Sequence, residues 1–388
     1  MAVNTLNFNQ VSAILNEIYS QATGKGAQAI VNTSDFVSVA TTTLAAGYDP
    51  ALNAITQLVN RTIFSVRPYS RKFADMQVDN QKFGAITRKL QISDKDFEDD
   101  ISFELVDGQS VDHYKVNKPN ILQTNFYGAN VFERSYTIFK DQLDSAFTGP
   151  EQLGEFFSMI VSNASDMVEQ AHENLARATL ANFIGGKLAA NNGIVHLLTE
   201  YNTLTGLNLT AADVYKPANF RAFTQWMYSR IMDISAKMTE RSGLYQIQIT
   251  GHEINRHTPK EFQRMYLYAP LKAQIDAMVL ANTYHDGYLD IGESEAVNFW
   301  QTIGTPDAID VTPSYLGANG SIVTAAEQKK SGIVGVLMDT EAAGYTVINT
   351  WSATTPLNAK GGFWNTFLHF TDRYWNDFTE KGVVLLLD

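Results

Sequence analysis

A single long amphipathic stretch, from about Glu151 to Ile184, constrains the fold of this chain more than any other feature. Apolar residues recur along it at intervals of three and four, which is the spacing of one buried stripe on an α-helix. Pro150 suits the start of this helix, and Gly185 and Gly186 suit its end. At 1.5 Å per residue, such a helix is about 50 Å long. A rod of this length is more natural as the spine of an elongated subunit than as part of a compact enzyme domain.

The 388 residues are enough for two or three structural units. The first 60 residues are mostly small and polar, with one amphipathic piece from Val11 to Tyr19, which is typical of an arm or a weakly packed extension. From about Gln81, apolar and polar residues alternate, which predicts strands and hairpins. An acidic stretch from Asp94 to Asp100 interrupts this alternation. The pattern therefore predicts a long two-stranded projection with a charged tip.

The middle of the chain, from about 186 to 345, alternates helical and strand patterns, which predicts a mixed unit. A helix is expected from Pro217 to Glu240 and a strand from Leu244 to Thr250, and the segment from Thr258 to Glu261 has the form of a capping box that begins another helix. Strand patterns return after about Ile333 and include the aromatic run 363–370. This run is expected to pack under a sheet, with stacking against bases or sugars as the alternative.

Composition excludes several classes of function. Hydrophobic residues make up 45% of the chain and charged residues 18%, so a large core is expected. Cysteine is absent, which excludes disulfides, thiolate metal sites and cysteine nucleophiles. The net charge of −12 argues against a protein that grips nucleic acid by neutralising phosphates. Neither a signal peptide nor an uninterrupted apolar stretch of spanning length is evident, so we expect a soluble cytoplasmic product.

The search for chemical motifs predicts no catalytic, cofactor-binding or metal-binding residue. His252 and His257 lie five positions apart, so they would not share one helix face as the histidines of a zinc protease do. The acidic run that begins at Asp94 lacks the glycine of a calcium loop, and we interpret it as a solvated or partner-facing tip. Phosphate-binding loops, dinucleotide fingerprints and nucleophile elbows are also missing from the sequence.

One charge pattern suggests contacts between copies. The segment before the acidic tip is basic, and the two patches would lie at opposite ends of a long hairpin, where they could pair between neighbouring subunits. A solvated loop beside an ordinary basic strand remains the alternative. The candidate intersubunit contacts are Arg67, Arg71, Lys72, Arg88, Lys89, Asp94, Asp96, Glu98, Asp99 and Asp100.

The order of these patterns resembles a known family. Together they are similar to the major capsid proteins of tailed bacteriophages, those of short-tailed phages among them. The similar elements are a polar amino-terminal region, an extended hairpin, the run from Phe132 to Val161 that leads into a long helix, a mixed middle unit, and a returning strand set with the stretch from Asp377 to Leu386. The resemblance extends from about residue 60 to the end. It rests on element order, because that family has no catalytic signature.

The resemblance implies an α+β fold of the Hong Kong 97 type. It divides the chain into an N-terminal arm (1–60), a peripheral domain (61–79, 129–189 and 346–388) with a spine helix at 151–184, an extended loop (80–128) and an axial domain (190–345). Within the virion, the subunits would form pentamers and hexamers of an icosahedral capsid that encloses double-stranded DNA without reading its sequence. A portal and a separate scaffolding protein would be partners, and assembly would take place in the cytoplasm of the bacterial host.

Two alternatives stay open at this stage. One is another self-assembling protein, such as a tail, sheath or encapsulin-like shell component. The other is a hydrolase with a dispersed active site that uses aromatic residues and two carboxylates.

Overall fold

The computed structural model describes residues 6–63, 71–78, 87–94, 107–108, 114, 116, 118, 120–126, 129–274 and 294–388. The helices are α1 (Phe8–Thr23), α2 (Thr33–Ala45), α3 (Tyr48–Ile63), α4 (Lys140–Ala146), α5 (Pro150–Ala190), α6 (Leu197–Thr205), α7 (Ala211–Val214) and α8 (Pro217–Thr239). The strands are β1 (Thr87–Ile92), β2 (Ile121–Phe126), β3 (Asn130–Phe139), β4 (Ile194–His196), β5 (Gln263–Tyr268), β6 (Ser294–Val297), β7 (Ile309–Val311), β8 (Ser314–Leu316), β9 (Ile322–Thr324), β10 (Gln328–Lys330), β11 (Ile333–Asp339), β12 (Ala343–Thr354), β13 (Phe363–Asn376) and β14 (Gly382–Leu386).

Two main sheets organise these elements. Strands β12, β13 and β3 form an antiparallel sheet of three, and a mixed sheet of five has the order β4, β14, β11, β5 and β6. Strands β1 and β2 pair separately as the base of the predicted hairpin. The last strand, β14, was assigned from the sequence to the peripheral domain, but it pairs with β4 and β11 in the sheet of five. The proposed division into domains stays a prediction.

The long helix α5 connects the cores of both sheets. Its first half packs with α1, α2, α3 and the three-stranded sheet, through residues that include Leu153 and Phe157. Its second half packs against one face of the five-stranded sheet, where Leu180 and Phe183 are buried. Helices α6, α7 and α8 cover the other face of that sheet. The 41-residue helix is about 60 Å long and is the spine that the sequence predicted.

The predicted end of the spine helix at Gly185 and Gly186 is wrong, because α5 continues for another turn and ends at Ala190, followed by Asn191 in the left-handed region (φ 48°). The two glycines serve close packing instead. A Cβ at Gly186 would lie 2.4 Å from Cζ of Phe378, and one at Gly185 would lie 2.5 Å from Cγ2 of Val311. Because glycine has no side chain, Phe378 and Val311 can pack directly on the helix backbone.

The small, polar amino-terminal region forms three packed helices. Val11, Leu15 and Phe36 are buried, and so are Leu52 and Ile55 of α3. The sequence predicted an arm or a weakly packed extension here, because the apolar residues of this core are distributed over three helices among many small and polar residues. Whether the region acts as an arm in an assembly stays a prediction.

Two predictions in the middle of the chain are wrong. The segment from Leu244 to Thr250 is not a strand, since Tyr245 has a φ of +66° and the segment has only one isolated bridge, at Ile249, besides loop hydrogen bonds. Thr258 does not cap a helix, because its hydroxyl donates to Asp339 Oδ2 (2.7 Å). A short 3-10 turn, Lys260–Phe262, leads directly into β5 instead. The helix predicted at Pro217 is confirmed as α8.

Candidate functional site at the base of the hairpin

The ladder of β1 and β2 confirms the period-two pattern of the sequence. The strands are antiparallel, with Thr87 opposite Phe126 and Ile92 opposite Ile121. Since side chains alternate between the faces of a strand, Lys89 and Gln91 point to the body of the subunit, while the residues on either side of them point outward. The ladder therefore has one face directed at the protein and one directed away from it.

The outward face of the ladder carries an exposed apolar patch. Leu90, Ile92 and Ile121 are 62%, 63% and 55% exposed. Ile92 and Ile121 are cross-strand partners, and Leu90 lies two residues from Ile92 on the same face. Arg88 shares this face and is also exposed. A contiguous apolar patch on an exposed strand pair is typical of a surface that another protein covers.

On the inward face, Lys89 meets three carboxylates, of which those of Asp377 and Glu380 are buried and that of Glu341 is exposed. Its Nζ lies 2.9 Å from Asp377 Oδ2 and 3.0 Å from Glu341 Oε2, and it also contacts Glu380. Arg256 reaches the same Glu380 carboxylate, with Nη2 at 3.2 Å from Oε1. Burial alone would lower the pKa of Lys89, but the charges of Asp377 and Glu380 raise it above its ordinary value. Burial in turn raises the pKa of Glu380, and Lys89 and Arg256 offset part of that effect.

The far end of the ladder is held by a second set of contacts. The carboxylate of Asp94 accepts a hydrogen bond from the backbone N–H of Asn255 at Oδ2 (2.7 Å) and pairs with Arg241 at Oδ1. The backbone N–H of Asp94 donates to the carbonyl of Glu253 (2.7 Å). On the other strand, Asn120 Nδ2 donates to the carbonyl of Gly251 (2.8 Å). Both strands are therefore fastened to the segment 241–256.

A short strap, residues 71–78, crosses the junction between the two sheets. Arg71 is buried and lies 3.0 Å (Nη1) from His172 Nδ1 of the spine helix. Asp75 Oδ2 accepts a hydrogen bond from the hydroxyl of Tyr266 in β5 (2.7 Å), and the backbone N–H of Val78 donates to the carbonyl of Tyr345 in β12 (3.0 Å). The strap thus joins the spine helix, the five-stranded sheet and the three-stranded sheet.

The aromatic run 363–370 has two faces. Trp364 is buried, as predicted for packing under a sheet, and its indole N–H donates to Asp49 Oδ1 (2.6 Å). On the outward face, His369 stacks on Trp351 with ring centroids 3.9 Å apart, and its Nδ1 lies 3.8 Å from Glu133 Oε2. Trp351 is 47% exposed. The outer face of the three-stranded sheet is thus a second exposed surface with apolar character.

The charged residues singled out in the sequence separate into three groups. Arg71, Lys72, Lys89 and Asp94 have partners within the chain, Lys72 through Glu295 (3.5 Å). Arg88 is exposed on the outward face. The remaining residues lie outside the described residues: Arg67, Asp96, Glu98, Asp99 and Asp100. Contacts of all these residues with neighbouring copies stay a prediction.

Sequence reasoning missed the residues that receive the hairpin. Asp377 and Glu380 lie in the stretch that carried the family resemblance, but nothing in their local pattern shows that Lys89, almost 300 positions away, contacts them. Within the described ranges, no group of three or more His, Asp or Glu side chains could hold a metal ion. A search of the same residues for a helix that is both long and apolar enough to cross a membrane also finds none.

Comparison with protein families matches residues 11–384 to the Phi29-like phage major capsid protein. Among solved structures, the fold is similar to a chain of the capsid of Staphylococcus phage Andhra, with a TM-score of 0.53 and 12% identity over 82% of this chain and 84% of that one. It is similar to a chain in the structure of the head fiber and inner core protein of native bacteriophage P68, with a TM-score of 0.53 and 10% identity over 82% of this chain and 85% of the other. A search of curated proteins finds no match.

Proposed function

The chain belongs to the Phi29-like phage major capsid protein family, and from this premise we propose that its copies form pentamers and hexamers that close an icosahedral shell around double-stranded DNA. It is a capsid shell protein of the virion, and its fold is the α+β Hong Kong 97 type. The observation that carries the proposal is the family match, which spans nearly the whole chain, from residue 11 to 384. It favours neither another virion component nor a hydrolase.

The geometry agrees with a tiling role. A shell subunit must bury surface against several neighbours, and two exposed apolar surfaces lie on different parts of this molecule. One is the outward face of the β1–β2 ladder around Leu90 and Ile92, and the other is the outer face of the three-stranded sheet around Trp351. We propose that both are covered by neighbouring copies in the assembled shell. We propose a structural, non-enzymatic role for the same reasons.

The proposed partners follow from the shell role. A portal would occupy one vertex, a separate scaffolding protein would guide assembly, and the shell would form in the cytoplasm of the bacterial host. The acidic charge of −12 supports a wall that encloses DNA without gripping its phosphates.

Electron microscopy with light scattering tests the shell function, on the chain expressed alone and with its neighbouring genes. Closed particles, tubes or ring-shaped capsomers are expected. A monodisperse monomer in both settings would contradict the proposal. Replacing Leu90 and Ile92 together with serine should reduce particle yield, because the substitution removes apolar area from the outward patch without touching the buried face of the ladder.

We also propose that the acidic tip of the hairpin pairs with basic residues, Arg88 among them, on neighbouring copies. Reversing the charges of Asp99 and Asp100 should weaken assembly most at low salt, because salt screens exposed charges. Unchanged assembly at every salt concentration would refute the pairing.

A further inference from the structure

The turn at 377–381 connects the two main sheets of the subunit. It follows β13 of the three-stranded sheet and precedes β14 of the five-stranded sheet. Its first residue is fixed on both sides: the backbone N–H of Asp377 donates to the carbonyl of Ala342 (2.7 Å), and Asp377 Oδ1 accepts from the N–H (2.9 Å) and the hydroxyl (2.6 Å) of Thr379. The second carboxylate oxygen, Oδ2, is the one that meets Lys89.

The rest of the turn is equally well held. The ring of Phe378 stacks on Phe183 of the spine helix with centroids 5.4 Å apart. The ammonium of Lys381 is buried and donates to the carbonyl of Glu240 and to the hydroxyl of Ser242, both at 2.9 Å. The turn therefore has little freedom to adjust to whatever binds it.

Lys89 attaches the β1–β2 ladder to this rigid turn. Its ammonium lies against Asp377 and Glu380, which are 2% and 4% exposed. Five residues further along the chain, Asp94 is fastened to the segment 241–256. At about 3.3 Å per residue, the two anchors are roughly 16 Å apart. Two anchors at that separation define the line along which the ladder leaves the body of the subunit.

We propose that Lys89 is a positioning residue of shell assembly: held by Asp377 and Glu380, it fixes the direction of the β1–β2 ladder and thereby the geometry of the lattice that the copies build. The inference rests on the proposed shell function. Because the outward patch at Leu90 and Ile92 lies on the opposite face of the same strand, any rotation of the ladder at Lys89 redirects the surface offered to a neighbour.

The exchange measurement compares Lys89→Met with the matched control Arg88→Gln, which removes a charge from the adjacent, outward-facing position. Lys89→Met should raise amide hydrogen exchange at 93–94 and 253–255 by roughly tenfold or more, because the ladder loses its inner anchor. It should also change particle geometry, giving tubes or a broad distribution of diameters. Arg88→Gln should leave that exchange unchanged, and Lys89→Arg should restore wild-type particles, because it returns the cation.

Loss of Lys89 leaves two buried carboxylates without their ammonium partner, which could unfold the subunit. The variant Lys89→Met with Asp377→Asn removes the ammonium and one carboxylate, and Glu380 keeps Arg256 as its partner; this variant decides the question if the single variant does not fold. Wild-type diameters together with wild-type exchange in a folded variant would overturn the inference. If the wild-type chain forms no particles, the shell function fails instead, while the exchange comparison still tests the anchor.

Discussion

Gly186 of the spine helix should not tolerate alanine, although alanine is the better helix former. A Cβ at this position would lie 2.4 Å from Cζ and 2.6 Å from Cε1 of Phe378, and 3.1 Å from Cβ of Tyr315. Carbon atoms pack best at about 3.5–4.0 Å, so the overlap with the ring is about 1 Å. The ring of Phe378 is 1% exposed and stacked on Phe183, so it has no space into which it can move.

The expected magnitude is the difference between two effects. Replacing glycine by alanine inside a helix gains about 1 kcal/mol. Overpacking a well-filled core costs about 1–3 kcal/mol and sometimes more, and a clash with a fixed ring belongs at the upper end. Gly186→Ala should therefore lower the free energy of unfolding by about 2 kcal/mol.

Gly154→Ala in the same helix is the control. Its Cβ would lie 3.1 Å from a single methyl group, Cγ2 of Val11, so a small shift relieves the contact. Most of the gain in helix propensity, up to about 1 kcal/mol, should remain. Urea unfolding of the unassembled subunit, followed by far-ultraviolet circular dichroism, measures both variants. If Gly186→Ala were as stable as Gly154→Ala, the explanation of the glycine pair as a close-packing site would be refuted.

Three further predictions concern buried or anchoring polar groups. Burial lowers the pKa of Lys187 to about 7 from the ordinary 10.5. Because the unfolded chain then binds the proton more tightly than the folded one, the free energy of unfolding should rise between pH 7 and 10, by at most about 1.4 kcal/mol per pH unit. Urea unfolding at pH 7 and 9 measures this rise, which should be absent in Lys187→Met. Asp49→Ala should cost about 1–3 kcal/mol in urea unfolding, because the buried indole N–H of Trp364 loses its acceptor, whereas Asp49→Asn keeps an acceptor and should cost less. Asp94→Ala should lower the free energy of unfolding in urea by about 1–2 kcal/mol. Asp94→Asn should lower it by less than about 1 kcal/mol, since the hydrogen bond from the N–H of Asn255 can remain when the ion pair is lost. Equal losses in the two variants would contradict the role given to this hydrogen bond.

Periodicity identified the elements whose side chains repeat regularly. The spine helix, α8, the hairpin base and β13 follow from the three-four or two-residue spacing of their apolar residues, whereas β11 and β14 follow from continuous apolar runs that are buried on both faces. Each of these helices buries a stripe of residues and each strand buries one or both faces, so the sequence pattern reflects the burial directly. The preference of proline for the first helical position correctly located the start of α5 at Pro150.

Local patterns failed where distant residues decide the outcome. Gly185 and Gly186 have the form of a helix end, yet Val311 and Phe378 make them a packing site. Thr258 and Glu261 have the form of a capping box, yet Asp339 takes the threonine hydroxyl and the chain enters β5. In each case the competing partner lies far along the chain, where a local window cannot register it.

The candidate site was the hardest part to predict. Alternation along β1 indicated that Lys89 has a face opposite to that of Leu90, but not which face is buried. The partner carboxylates are almost 300 residues away, and a lysine in a short strand is ordinarily an exposed residue. The basic character of the segment was visible from the sequence, whereas its use within the subunit depends on the turn at 377–381.

The place of β14 in its sheet has a consequence for the timing of synthesis. This strand lies between β4 and β11 and pairs Val384 with Ile194. During synthesis, β4 therefore has no strand to pair with until residues 197–381 and then β14 have been made. At about 5–20 residues per second, that delay is on the order of 10–40 s. A product that terminates before β14 lacks an interior strand of the sheet and leaves β4 without its only neighbour among the described strands. The five-stranded sheet can therefore close only after β14 has been made.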